Sequence, residues 1–176
     1  VYLNLAVAYQ DIGKPEEAIA LYKKAIGLDS KKMKSYSNLA VLYATLGRKD
    51  EAVDILNKAL KINQNNALIF GNLGTIYSMM GNNQEAVRLI KKAIELDSHY
   101  LVAYMNLGAI YADIGEKANA IAAYEQAIKI NPNNAKAYYY LGKLYQDIDK
   151  TKESIASYKK VIAIDSLANI VEAPNK

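Results

Sequence analysis

Four asparagines stand 34 residues apart, Asn4, Asn38, Asn72 and Asn106, and each precedes a leucine. A carboxamide carries one acceptor oxygen and two donor hydrogens, so it can pair with both the C=O and the N–H of another peptide group, whatever side chains that peptide bears. Asparagine is a mediocre helix former, and its return at one mid-helix position needs a reason. Two are open: a ladder that holds a bound peptide backbone, or amides that bond to one another or to an adjacent helix. A second group, Lys136, Tyr139, Tyr140 and Lys143, shares one helical face by its spacing. Two rings and two cations suit an aromatic or acidic side chain of a ligand, or they cover one end of the molecule.

Other chemistry finds little support. The single histidine, His99, has no second histidine or cysteine with which to build a metal site or a nucleophile–base pair. With no cysteine there are no disulfides, thiolate sites or cysteine nucleophiles. The glycines recur as turn and packing positions and form no phosphate loop. The carboxylates Asp11, Asp113 and Asp147 are separated by multiples of 34 residues. An acid–base pair needs an enclosed cleft with the two groups about 5–10 Å apart, and nothing in the sequence around Asp113 and Asp147 suggests one. Neither catalysis nor a metal nor a cofactor is expected. The net charge of +4 is spread along the chain, a poor footprint for nucleic acid. Lys23, Lys24, Lys58, Lys91, Lys92, Lys159 and Lys160 recur in the C-terminal halves of helices, where cations suit the dipole, and acids such as Glu16, Glu17, Asp50, Glu51, Glu85 and Glu153 sit at the opposite ends. They read as a solvated outer face.

The elements that position these residues follow from the 34-residue step. Asn38-Leu39-Ala40-Val41-Leu42-Tyr43 returns as Asn72-Leu73-Gly74-Thr75-Ile76-Tyr77 and as Asn106-Leu107-Gly108-Ala109-Ile110-Tyr111. The units are 1–32, which lacks its first two residues, then 33–66, 67–100, 101–134 and 135–168. Residues 169–176 form a non-repeat tail in which Pro174 argues against a long helix. Each unit reads as two helices with apolar residues at helical spacing. Gly13, Gly47, Gly81 and Gly115 occupy the turn between them. Small residues, Ala6, Ala40, Gly74, Gly108 and Gly142 on the first helices and Ala18, Ala52, Ala86 and Ala120 on the second, allow close helix packing. Tyr9, Tyr43, Tyr77, Tyr111 and Tyr145 fill the space between layers. One hairpin cannot bury both of its stripes, so the units must stack into a one-dimensional solenoid.

In the fourth unit Tyr104, Leu107-Gly108, Tyr111, Ala120, Tyr124, Ala127 and Pro132 resemble the tetratricopeptide-repeat pattern, with Tyr104 in place of tryptophan. The resemblance covers residues 1–168. It implies an all-α solenoid of antiparallel helix pairs in a right-handed superhelix, with the first helices lining a concave groove and the asparagines pointing into it. The asparagine ladder is similar to that of the repeat domain of O-linked N-acetylglucosamine transferases, which implies an extended peptide held by its backbone. Flanking groove positions, Leu3, Ser37, Gly71 and Met105, then Val7, Val41, Thr75 and Ala109, are small and mildly apolar. Some members of the family clamp a C-terminal carboxylate with Lys and Asn, Asn, then Lys and Arg. Here those positions read Leu3, Val7, Asn38, Leu68 and Asn72, or Gly71, Thr75, Asn106, Lys136 and Tyr140, too few matches for that clamp. The fifth unit departs most, with Asp149 at the turn glycine and Ser154 and Val161 at the alanines, and is expected to be looser.

The expected function is a protein-interaction scaffold that binds an extended peptide. The alternatives are a scaffold that self-associates through its open ends and the substrate-recognition region of a larger enzyme such as a glycosyltransferase. The chain opens inside a helical pattern at Val1, which reads as a piece of something longer. No apolar run approaches the roughly 18–20 residues of a membrane helix, so a protein or peptide partner is expected, with homo-association through the repeat ends as a further contact, without nucleic acid or membrane insertion, in the cytoplasm.

Overall fold

The structure, a computed structural model, describes the backbone of residues 1–172 and the side chains of residues 1–166. It is all-α, with ten helices and, among the described residues, no strand. Two compact units divide the chain, Val1–Ser98 and His99–Lys176. The first unit holds α1 (Tyr2–Asp11), α2 (Pro15–Leu28), α3 (Met33–Thr45), α4 (Lys49–Ile62), α5 (Ala67–Met79) and α6 (Asn83–Leu96). The second holds α7 (Leu101–Asp113), α8 (Lys117–Ile130), α9 (Ala135–Gln146) and α10 (Thr151–Glu172). Helix α10 continues past residue 168 to Glu172, into the stretch the sequence assigns to a tail; Pro174 lies outside the described residues.

Local chemistry sets each hairpin. Every first helix ends with a paired hydrogen-bond closure in which the residue after the turn donates to the carbonyl of the recurring tyrosine: Lys14 to Tyr9, Arg48 to Tyr43, Asn82 to Tyr77, Glu116 to Tyr111 and Lys150 to Tyr145, at 2.8–2.9 Å. The turn residue itself donates to the carbonyl three before it, as Gly81 does to Ser78 at 2.9 Å. This closure satisfies helix-end carbonyls but needs a left-handed residue. Gly47 and Gly81 supply it at φ +78° and +82°, and Asp149 is forced to φ +60° in the fifth hairpin. Helix α2 starts on Pro15, which has no N–H to leave unpaired. Other starts use asparagine caps, where Asn66, Asn82 and Asn134 accept from the amides of Ile69, Glu85 and Ala137.

Packing within each unit depends on the small positions. Ala6, Ala18, Ala40, Ala52 and Ala59 are fully buried with Leu39, Leu56 and Ile69 in the first unit, and Ala120, Ala127 and Ala137 are fully buried in the second. A methyl group on Gly74 would stand 2.5 Å from Ile90 Cγ1 and 3.0 Å from the Ala86 carbonyl oxygen. On Gly108 it would meet the Tyr124 ring at 2.8 Å, and on Gly142 the Tyr158 ring at 2.7 Å. The rings that fill these gaps therefore come from the second helices. Of the tyrosines expected between layers, Tyr43 and Tyr111 are buried and Tyr9, Tyr77 and Tyr145 are half-buried. In the fifth hairpin Ser154 replaces alanine, and its buried hydroxyl donates to the Gly142 carbonyl at 2.9 Å. Lysines then tie successive repeats: Lys117 Nζ donates to the Asp147 carbonyl at 2.9 Å, and Lys49 does the same to Met79. Each ammonium meets the negative end of a helix in the next repeat. On α10, Ile155 and Ile162 stay 50% and 66% exposed.

Two substitutions test this account by chemical denaturation. Gly74→Ala improves helix propensity by about 1 kcal/mol, but overpacking against Ile90 costs about 1–3 kcal/mol, so the protein should lose stability. Asp149→Gly removes a left-handed non-glycine residue and should raise stability by about 0.5–1 kcal/mol. A stabilised Gly74→Ala variant, or no gain at Asp149→Gly, contradicts the packing and turn assignments respectively.

Candidate functional site

Asn4, Asn38 and Asn72 fall at one register position on α1, α3 and α5 of the first unit, and Asn106 takes that position on α7 of the second. Asn4 is exposed and the other three are half-buried. The carboxamides have internal partners. Asn72 Nδ2 donates to the buried Ser37 Oγ at 2.6 Å, from one first helix to the preceding one. Asn38 donates to the Tyr22 hydroxyl, which in turn donates to Gln10 Oε1 at 3.1 Å. Burial pushes the Tyr22 pKa up, and the bond from Asn38 partly offsets that. Asn106 also has an interaction of its own. Of the flanking positions, Leu3, Ser37 and Gly71 are buried in helix packing and do not line an open surface, whereas Val7 and Val41 are exposed and Thr75, Met105 and Ala109 are half-buried. Leucine, serine and glycine there fill the space between neighbouring helices, which a sequence pattern does not distinguish from a groove lining.

The residues of the α9 cluster are brought together as part of a ring network. Tyr140 stacks on Tyr124 with centroids 5.3 Å apart and planes at 16°. Tyr139 meets Tyr140 edge-on at 5.6 Å and Tyr158 at 6.1 Å. Lys136 Nζ lies 6.0 Å from the Tyr140 centroid. Lys143 is exposed and lines a cleft of about 240 Å³ with Ala109, Ala112, Asp113, Tyr124, Tyr140, Leu144 and Asp147. The sequence reading found no pocket around Asp113 and Asp147; the structure puts both carboxylates on the wall of this one. Their 34-residue spacing was visible, but the ring of Tyr124 and the small Ala112 that shape the space were not read as a site.

Three lysines of the second helices have partners. Lys23 and Lys24 sit over the Tyr43 and Tyr2 rings at 5.8 and 4.7 Å, and Lys92 pairs with Glu95 at 3.0 Å. Arg48 bridges Glu51 and Glu16, contacting them at 2.6 and 3.1 Å, and lies 4.5 Å from the Tyr43 centroid. His99 is exposed. Among the described residues no group of three histidines or carboxylates could hold a metal ion, and no helix is long and apolar enough to cross a membrane.

Comparisons with known proteins bear on this architecture. Tetratricopeptide-repeat family models match residues 1–65, 55–88, 110–149 and 135–166. No curated protein matches significantly. Among solved structures, the crystal structure of MamA is 27% identical with a TM-score of 0.79, covering 96% of this chain and 99% of that one. YrrB, described as a tetratricopeptide-repeat protein with an unusual peptide-binding site, is 26% identical with a TM-score of 0.66, covering 93% and 84%. The pilF protein of Pseudomonas aeruginosa, at 22% identity, a TM-score of 0.83 and coverage of 92% and 74%, shares the fold. Helix order, turn closures, small-residue packing and these matches agree: the chain is an all-α helical solenoid of tetratricopeptide repeats.

Proposed function

We propose that this protein-interaction scaffold binds an extended peptide through the first helices, with Asn4, Asn38 and Asn72 of the first unit contacting the peptide backbone and Asn106, at the same register position of the second unit, able to make the same contact. The observation that carries the reading is the return of a carboxamide at one register position on α1, α3, α5 and α7, three of the four half-buried. The peptide-binding site described for YrrB adds support at the level of the repeat family.

The internal bonds fit this reading. The Ser37 bond uses one of the two Asn72 amide hydrogens, and the Tyr22 bond does the same for Asn38. Each carboxamide keeps an acceptor oxygen and a second hydrogen for a ligand. Because it is already oriented, it loses less side-chain entropy when a peptide arrives. Neighbouring layers lie about 10 Å apart by helix packing, and an extended chain advances about 3.3–3.6 Å per residue. One rung therefore meets about every third peptide residue. Each neutral hydrogen bond contributes about 0.5–1.5 kcal/mol net, so affinity rests on several rungs together and falls in the micromolar range unless side chains add to it.

Replacing Asn38, Asn72 and Asn106 together with alanine tests this. Helix content by circular dichroism should persist, because alanine is the better helix former. Stability should fall by about 1 kcal/mol for each internal bond lost. Affinity for an extended peptide isolated by display selection against the wild-type protein should fall about tenfold or more. Undiminished affinity in the triple variant makes the ladder structural.

A further inference from the structure

Equivalent tyrosines in two repeats have opposite surroundings. Tyr22 on α2 and Tyr124 on α8 hold the same repeat position, 102 residues apart, and both are 1% exposed. The Tyr22 hydroxyl donates to Gln10 and accepts from Asn38. At those two positions the second unit has Ala112 and Tyr140. Alanine cannot accept the hydrogen bond and leaves the volume of the glutamine side chain open. Tyr140 stacks its ring on Tyr124 and donates nothing to the hydroxyl. The Tyr124 hydroxyl thus has no hydrogen-bond partner among the described residues, and both Tyr124 and Ala112 line the cleft of about 240 Å³. The ring is buried, and its hydroxyl opens onto the space in which a ligand can supply the missing bond.

The charges around that space select the ligand. Asp113 is the last residue of α7 and Asp147 caps the end of α9, so two carboxylates and two helix C-termini bound the cleft. Both favour a cation. Neither carboxylate is in an ion pair among the described residues. Lys143 is the one cation in the lining, and Lys117 is bonded to the Asp147 carbonyl nearby. After burial and Tyr140, Asp113 contributes to holding the Tyr124 pKa well above the ordinary phenol value, so the Asp113 charge is felt at the hydroxyl. Ala109, Ala112 and Leu144 give the cleft an apolar floor for a methylene stem.

We infer that this cleft is a subsite for a basic side chain, arginine or lysine, of the bound peptide. The Asp113 and Asp147 carboxylates would take its charge, and the Tyr124 oxygen would accept one of its N–H groups. The inference deepens the peptide-binding reading and rests on it for the source of the side chain: Asn106, Ala109 and Asp113 share one face of α7 by their spacing, so a backbone held at Asn106 can lay the next side chain into the cleft. The assignment reverses the ligand charge that the sequence suggested for Lys136 and Lys143, because it rests on two carboxylates around which the sequence suggested no pocket.

The test uses two probes. The first is N-acetyl-arginine N-methylamide, titrated to millimolar concentration into the ¹⁵N-labelled full chain, with the norleucine and glutamate analogues alongside. Saturable shifts at Ala112, Tyr124 and Leu144 with the arginine compound, absent with the other two, support the subsite. They should vanish in Asp113→Asn/Asp147→Asn and in Ala112→Gln. The second variant restores the Gln10 arrangement, so it should fold, fill the cleft and bond the hydroxyl. No shifts, equal shifts with norleucine, or shifts that survive Ala112→Gln overturn it. The second probe is a display-selected peptide with arginine, norleucine or glutamate scanned through it. Arginine at one position should bind roughly tenfold tighter than norleucine, since charge-assisted hydrogen bonds are the stronger ones, and in the aspartate variants the affinity of the arginine peptide should fall to that of the norleucine peptide. Peptide binding that depends on the asparagines but shows no basic preference sinks the subsite and spares the groove. Arginine shifts in the cleft with asparagine-independent peptide binding do the reverse.

Discussion

The structure depends on one close approach, repeated in each hairpin: a position with little or no side chain on the first helix against a large residue 16 places later on the second. Gly74 faces Ile90, Gly108 faces Tyr124 and Gly142 faces Tyr158, in each case with no room for a methyl group unless something moves. Ala6 and Ala40 occupy the same position in the first two repeats, with Tyr22 and Leu56 at the matching one, all buried. This contact sets the separation of the two helices, and with it the faces each offers to the next repeat. Helix propensity alone would not choose glycine at a mid-helix position. The packing requirement overrides it, and tertiary contact is where most of the stability of such helices comes from.

The turn between the helices serves that contact. A closure with one left-handed residue reverses the chain within a few residues, so the small position and its large partner come opposite each other with little freedom left. The tyrosine that supplies the accepting carbonyl also places its side chain against the preceding repeat in the second and fifth hairpins. Tyr43 takes Lys23 and Arg48 on its face, and Tyr145 donates its hydroxyl to Glu125 at 3.1 Å. One residue type at one register position thus ends a helix, fills a gap and binds a neighbouring charge. That is why a 34-residue repeat can vary at most other positions and still stack.

This division explains what the sequence made legible. Residues under backbone constraint recur, so the helix pairs, the turn glycines and the small positions could be read directly, and Asp149 could be recognised as a strained substitute. Register alone could not say which side of a first helix is covered. Ser37 and Gly71 neighbour the asparagines in sequence, yet helix packing buries them. The internal bonds of Asn38 and Asn72 were equally out of reach, since Ser37 and Tyr22 have to be brought near by the fold. The two readings of the asparagines, ligand contact and internal bond, therefore do not exclude each other. A carboxamide has enough hydrogen-bonding capacity for both.

The cleft in the second unit was hidden for a related reason. A repeat pattern is found by what stays the same, and the cleft is made by what changes. Gln10 becomes Ala112 and Asn38 becomes Tyr140, while the tyrosine between them stays buried at positions 22 and 124. Each change looks conservative on a helix: alanine is the better helix former, and a tyrosine ring stacks well on its neighbour. Together they remove both partners of one tyrosine hydroxyl and open space beside it. Within a solenoid whose repeats are otherwise interchangeable in structure, such paired departures are where binding chemistry can be placed without disturbing the stack, because the helix-to-helix contact at Gly108 and Tyr124 is kept while the surroundings of the ring's polar end are rebuilt.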